Sequence, residues 1–179
     1  MAAMHHAARS LLILACLSVP VLADAGACRT ELRPLLLDTD PQEADVERVR
    51  AICAAEADRG DADASYQLAL FSLGLRGNWQ PDVALPLIRA AAERGVPEAQ
   101  YWLAWQLESG PLLPNDTGQA LSWYEKAASG RHRLALQRLA EASERGELGL
   151  PVDARKALEY RAQIRRCEEE EKKKSTRNR

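Results

Sequence analysis

Imidazole is the side chain that acid–base and zinc chemistry most often use, and this chain has little of it. Of three histidines, His5 and His6 lie near the N-terminus and His132 alone stands in the body of the chain. That leaves no zinc cluster and no His-x-x-x-His pair. It also leaves no spare for a Ser-His-Asp set. His132 follows Arg131 at an expected helix start and reads as an exposed, solvated side chain. Gly74 and Gly77 share a loop without the Lys that a phosphate cradle needs. Asp58, Asp61 and Asp63 cluster around Gly60 and read as helix-end residues. A calcium loop would need more alternating oxygens and a distal Glu. No catalytic, cofactor-binding or metal-ligating residue is therefore expected. The run Glu168 to Lys174 holds three Glu→Lys pairs four residues apart, each worth a few tenths of a kcal/mol on a helix. It extends a last helix into solvent.

The N-terminus decides the expected compartment. Arg9 precedes an apolar run from Leu11 to Ala23, and Val21-Leu22-Ala23 offers small or apolar residues before Asp24. Charge, short apolar core and small-residue cleavage site read as a secretory signal peptide over residues 1–23. The run is short for a bilayer span, which needs about 20 apolar residues. The mature part is therefore expected in the periplasm or outside the cell, with no membrane insertion. With Arg9 removed, 23 Lys and Arg face 26 Asp and Glu, a net charge of −3 that does not favour nucleic acid. Cys16 leaves with the leader, and Cys28, Cys53 and Cys167 remain, an odd count in an oxidising compartment. Cys28–Cys53 is the favoured pairing, stapling residues 24–60 as an N-terminal cap, with three free thiols as the alternative. Ala25-Gly26-Ala27-Cys28 also loosely matches a lipobox, which would make Cys28 a lipid anchor.

The elements behind these residues follow from an internal period. Gly60, Gly95 and Gly130 fall 35 residues apart, each closing an Ala-rich helical stretch. Glycine there suits a left-handed helix C-cap. A second helical pattern follows each one: Ala64-x-x-x-Leu68-Ala69, Ala99-x-x-x-Leu103-Ala104 and Ala135-x-x-x-Leu139-Ala140. Asp116 and Asp153 sit where N-caps are wanted, and Gln119 completes a capping box with Asp116. Asp40-Pro41 reads as another start, with Pro41 at the first helical position. Helices are expected at about 41–58, 62–73, 82–94, 97–109, 117–129, 132–145 and 154–174, with a shorter one at 28–37. The fold class is all-α, an α/α solenoid of antiparallel helix pairs over 61–165. A charged helix end and tail follow over 166–179.

The second unit carries a family resemblance. Ala99-Gln100-Tyr101, Leu103, Gly110, Asp116, Ala120, Trp123-Tyr124, Lys126-Ala127-Ala128 and Gly130 resemble the Sel-one-like repeat, a relative of the tetratricopeptide repeat. The first unit keeps Ala64, Tyr66, Leu68, Ala84, Ala91-Ala92 and Gly95; the third keeps Ala135, Leu139, Gly146, Asp153, Ala157 and Tyr160. Gly130 arrives one residue early, and Leu107 and Ser143 stand where an aromatic is usual. The resemblance implies scaffolding: adaptors that hold protein partners, often in bacterial envelopes, some of them periplasmic immunity proteins against secreted toxins.

On this alignment Trp123, Tyr124 and Tyr160 take family core positions, whereas Trp102 and Trp105 take variable ones. The equivalent columns hold Gln67 and Leu70 in the first unit and Arg138 and Glu141 in the third. First helices of such units line the concave surface, so these six residues are expected to form one strip. Two tryptophans beside an arginine have the composition of a binding hot spot; packing between helices is the alternative. The expected function is an exported monomeric scaffold that binds a protein partner in the cell envelope, an immunity protein being its sharper version. The alternatives are an outer-membrane lipoprotein assembly factor and a β-lactam-binding or -hydrolysing enzyme. The latter's cysteine-rich relatives carry regular cysteine pairs, which this chain lacks.

Overall fold

A computed structural model describes residues 26–74 and 79–177. The expected signal peptide lies outside the described residues. Among the described residues eight helices run in chain order: α1 (Ala27–Leu37), α2 (Glu43–Asp58), α3 (Ala62–Ser72), α4 (Pro81–Glu93), α5 (Pro97–Ser109), α6 (Thr117–Ser129), α7 (Arg133–Arg145) and α8 (Ala154–Arg177). Each helix packs on the next in sequence, and α1 also touches α3. The repeated pairs are α3/α4, α5/α6 and α7/α8.

Small residues set how closely these helices approach. Ala64, Ala99 and Ala135, at one register of the three first helices, are all buried, as are Ala69, Ala104 and Ala140 one turn on. Ala84, Ala120 and Ala157 do the same on the second helices. Leu103, Leu139, Ile88, Leu136 and Tyr124 fill the space that these alanines leave. Burying such a side chain contributes about 1.5–3 kcal/mol.

The helix ends follow local chemistry. Asp61, Asp116 and Asp153 accept backbone hydrogen bonds from Ala64, Gln119 and Lys156 at the starts of α3, α6 and α8. The Gln119 amide donates to the Asp116 carboxylate at 2.7 Å rather than reaching back to a backbone N–H, so the expected capping box is only half made. Helix α2 begins at Glu43 with Gln42 before it, so Pro41 precedes the helix instead of opening it. The Asp40 N–H is drawn into a turn by the Asp38 carboxylate.

Gly60 and Gly95 take the left-handed conformation, with φ of 90° and 94°. Gly130 does not: its φ is −75°, and Arg131 takes the left-handed turn one residue later, at 66°. Glycine at 130 answers a different need. A Cβ there would lie 2.6 Å from Pro97 Cγ at the start of α5, so the α6–α7 turn could not close against it.

The N-terminal end is stapled. Cys28 and Cys53 form a disulfide between α1 and α2, with both residues buried. A bridge spanning 25 residues contributes about 3 kcal/mol in the chain-entropy account. Glu56, also buried, accepts from the Ala27 and Cys28 N–H groups at 2.9 and 3.3 Å. A carboxylate on α2 thus satisfies the open amides of α1, where Gly26 has no side chain to do so. Cys167 is a free, half-buried thiol, 3.4 Å from Arg131 Nε.

Candidate functional site

The tryptophans of α5 are held by the helix that their neighbours bury. Ala99, Leu103 and Ala104 face the core, which turns Trp102 to the flank and Trp105 further out. Trp102 is half-buried against the cluster around Ala99 and Leu103. Trp105 is 42% exposed. Trp79 joins them from the loop after α3. An antiparallel bridge between Leu73 and Trp79 and a 2.7 Å bond from Gln80 N–H to the Ser72 carbonyl fold it back toward α5. Trp79 is 60% exposed, a high value for so large an apolar ring.

These three rings, with Leu70, Leu73 and Leu112, line a groove of about 430 Å³ between α3 and α5. Its floor includes Gln106, which is buried and accepts a bond from Leu112 N–H at 3.1 Å. That bond fixes the loop after α5 as the groove's far wall. Gly110 makes the turn possible, because a Cβ there would stand 2.6 Å from Gln106 Cα. No charged side chain lines the groove among the described residues.

The six-residue strip expected from the alignment does not form as one surface. Leu70, Trp102 and Trp105 meet in the groove. Gln67 is half-buried beside them but does not line it. Arg138 is drawn into an ion network: Nε lies 2.9 Å from Glu108, Nη1 lies 2.7 Å from Glu147, and Nη2 also donates to Glu108. The Tyr124 hydroxyl donates to the same Glu108 carboxylate at 2.7 Å. Burial pushes the Glu108 carboxyl up, and the hydrogen bonds from Arg138 and Tyr124 outweigh it, so its pKa lies below the ordinary value. Tyr124 is pushed upward, first by burial and then by that carboxylate. Glu141 accepts from Gln137 at 3.1 Å and lines a separate hollow with Arg161 and Ile164.

Sequence reasoning missed Trp79. The only hint was its place in a Gly- and Pro-bounded loop beside an apolar helix end. His132 also departs from expectation. It is half-buried, stacks on Tyr101 with ring centroids 4.5 Å apart, and caps α7 by accepting the Ala135 N–H at its Nδ1. Burial lowers its pKa despite the nearby Glu98 charge.

Stacked antiparallel helix pairs with alanine columns and an apolar groove between first helices define a helical-repeat solenoid. The Sel1 repeat family model matches residues 97–132 and 133–160, which are α5/α6 and the third pair as far as Tyr160. A solved Sel1 repeat protein from Oxalobacter formigenes is 30% identical with a TM-score of 0.60, over 71% of this chain and 96% of that one. The chain belongs to the Sel1 repeat family. A protective antigen present in uropathogenic Escherichia coli strains, with an SLR fold, superposes at a TM-score of 0.64 and 21% identity. That match covers 80% of this chain and 31% of the antigen. Among curated proteins, the chitin synthase regulator SKT5 of Saccharomyces cerevisiae is 34% identical over 101 residues. That stretch is 56% of this chain but 14% of the yeast protein. The family model begins at α5, so the α3/α4 pair is a repeat by structure and register that the model does not reach.

Proposed function

We propose that the chain is an exported scaffold, working as a monomer in the periplasm, that binds a protein partner in the groove between α3 and α5. The observation that carries this reading is the exposure of Trp79 and Trp105 beside one apolar hollow. A folded chain leaves such a patch open at a cost in solubility, and a partner explains it. Family membership supports a scaffold over an enzyme, since Sel1 repeats suggest protein binding. The leader-like N-terminus supports export. An immunity protein against a secreted toxin is the sharper form of the proposal. The lipoprotein alternative loses ground because the Cys28 sulfur is already bonded to Cys53.

The test is capture from a cell-envelope extract by the wild-type chain and by Trp105→Ala, with the retained proteins identified by mass spectrometry. One protein held by the wild type and reduced about tenfold or more on the variant is expected, given that a hot-spot tryptophan is worth about 2 kcal/mol or more. Identical captures on both would refute the groove. The exported form should begin at Asp24, and an N-terminal sequence starting at Met1 in periplasmic protein would refute export with cleavage.

A further inference from the structure

The charges around the groove state what kind of partner fits it. Two cations on the first-helix side of the solenoid are already engaged. Arg29 is bonded to Asp63 at 2.7 Å, and Arg138 is held by Glu108 and Glu147. Glu98 is different. It stands in the first turn of α5, exposed, with no ion pair or side-chain hydrogen bond among the described residues. Four and seven residues before Trp102 and Trp105, it stands on their face of α5, outside the lining of the groove itself. One turn along α5 from Glu98 comes Trp102, and nearly another brings Trp105. Seven residues of helix place Glu98 about 10 Å from the level of Trp105.

We propose that the groove takes a basic, apolar-anchored segment of a partner polypeptide, with one bulky apolar side chain among the tryptophans and one Lys or Arg at Glu98. This rests on the protein-binding reading and names the partner's chemistry. An extended chain covers about 10 Å in three residues, so the cation and the anchor stand about three positions apart. Charge complementarity favours such a segment over the competing occupants. An anionic lipid headgroup or a nucleic acid would meet an unpaired carboxylate and a chain of net charge −2. A small apolar molecule would remain largely in water, because Trp79 and Trp105 stay 60% and 42% exposed, whereas such ligands are normally mostly enclosed.

A phage-displayed random peptide library, selected on the intact chain, tests this directly. Selected peptides should share a Lys or Arg about three residues from an aromatic or leucine. Glu98→Lys should weaken a synthetic selected peptide about tenfold at low salt, and less at high salt as screening grows. Replacing the peptide's basic residue by Glu should restore binding to Glu98→Lys, which a misfolded variant could not do. Binding lost in Trp105→Ala but unchanged in Glu98→Lys would overturn the cation and leave the groove standing. Binding unchanged in Trp105→Ala, or a library yielding no binder above background, would overturn both readings.

Discussion

The α3–α5 junction and the α5–α7 junction occupy equivalent places in the repeat and are built from opposite chemistry. The alanine columns are the same in both. What differs is the column that holds Gln67, Trp102 and Arg138. At the first junction the tryptophans meet leucines and leave an open, uncharged groove. At the second, Arg138 reaches back to Glu108 on α5, the Tyr124 hydroxyl completes that carboxylate, and Glu147 holds the far side of the guanidinium. Repeat geometry fixes spacing; the variable positions decide whether a junction is spent on cohesion or left free for a ligand.

Stability separates the two. Arg138→Ala leaves Glu108 half-buried without its cation and should cost about 2–3 kcal/mol. That is below the about 3–5 kcal/mol for breaking a fully buried pair, because both side chains keep about a fifth of their exposure (20% and 19%). Trp102→Ala should fall between, at about 1–2 kcal/mol, since the ring is only partly buried against the core. Trp105→Ala should cost under about 1 kcal/mol. Urea denaturation of the three variants reads the order. A Trp105→Ala loss equal to that of Arg138→Ala would make the groove part of the core and erase the contrast.

Acid should act on the second junction and spare the first. The Glu108 carboxyl titrates below the ordinary glutamate value of 4.5, so its folded pKa lies under its unfolded one. The stability it contributes is present above that unfolded value and is lost as pH falls through the folded pKa. The groove holds no titrating side chain among its lining residues and adds no such slope. Glu108→Gln should flatten the acid limb of the melting curve below about pH 4.5. An unchanged limb would show that another carboxylate controls it.

Much of this was legible in residue types. The glycine and alanine period located the helix pairs, because close helix approach admits few residues at those columns. The Cys28–Cys53 bridge followed from both cysteines lying near one end. What escaped the sequence depended on partners far along the chain. Arg138 looked free because Glu108 lies 30 positions away on another helix. Trp79 looked like a loop residue because only the bridge to Leu73 brings it to the groove. Glu56 gave no local sign of capping α1, since its acceptors serve amides 28 and 29 residues earlier. The left-handed turn at Arg131 was misplaced by one because Gly130 answers contact with Pro97 rather than backbone conformation.

His132 offers the smallest effect and the sharpest location. It caps α7 through Nδ1, which accepts the Ala135 N–H at 3.3 Å, and its ring lies on Tyr101 of α5. Protonation places a hydrogen on Nδ1 and turns that acceptor into a donor facing a donor. Burial already holds the folded pKa below the ordinary imidazole value of 6.5, with Glu98 pulling the other way. The stability is therefore fully present above the unfolded value of 6.5 and is lost as pH falls through the folded one. Melting should drop slightly once pH falls below the ordinary imidazole value of 6.5. Asn is an equally good cap that does not titrate. His132→Asn should keep the neutral-pH melting temperature and remove this shallow slope, while Trp105→Ala should leave the slope in place. An NMR titration of His132 with a midpoint at or above 6.5, or a slope that survives His132→Asn, would remove this residue from the second junction's response to pH.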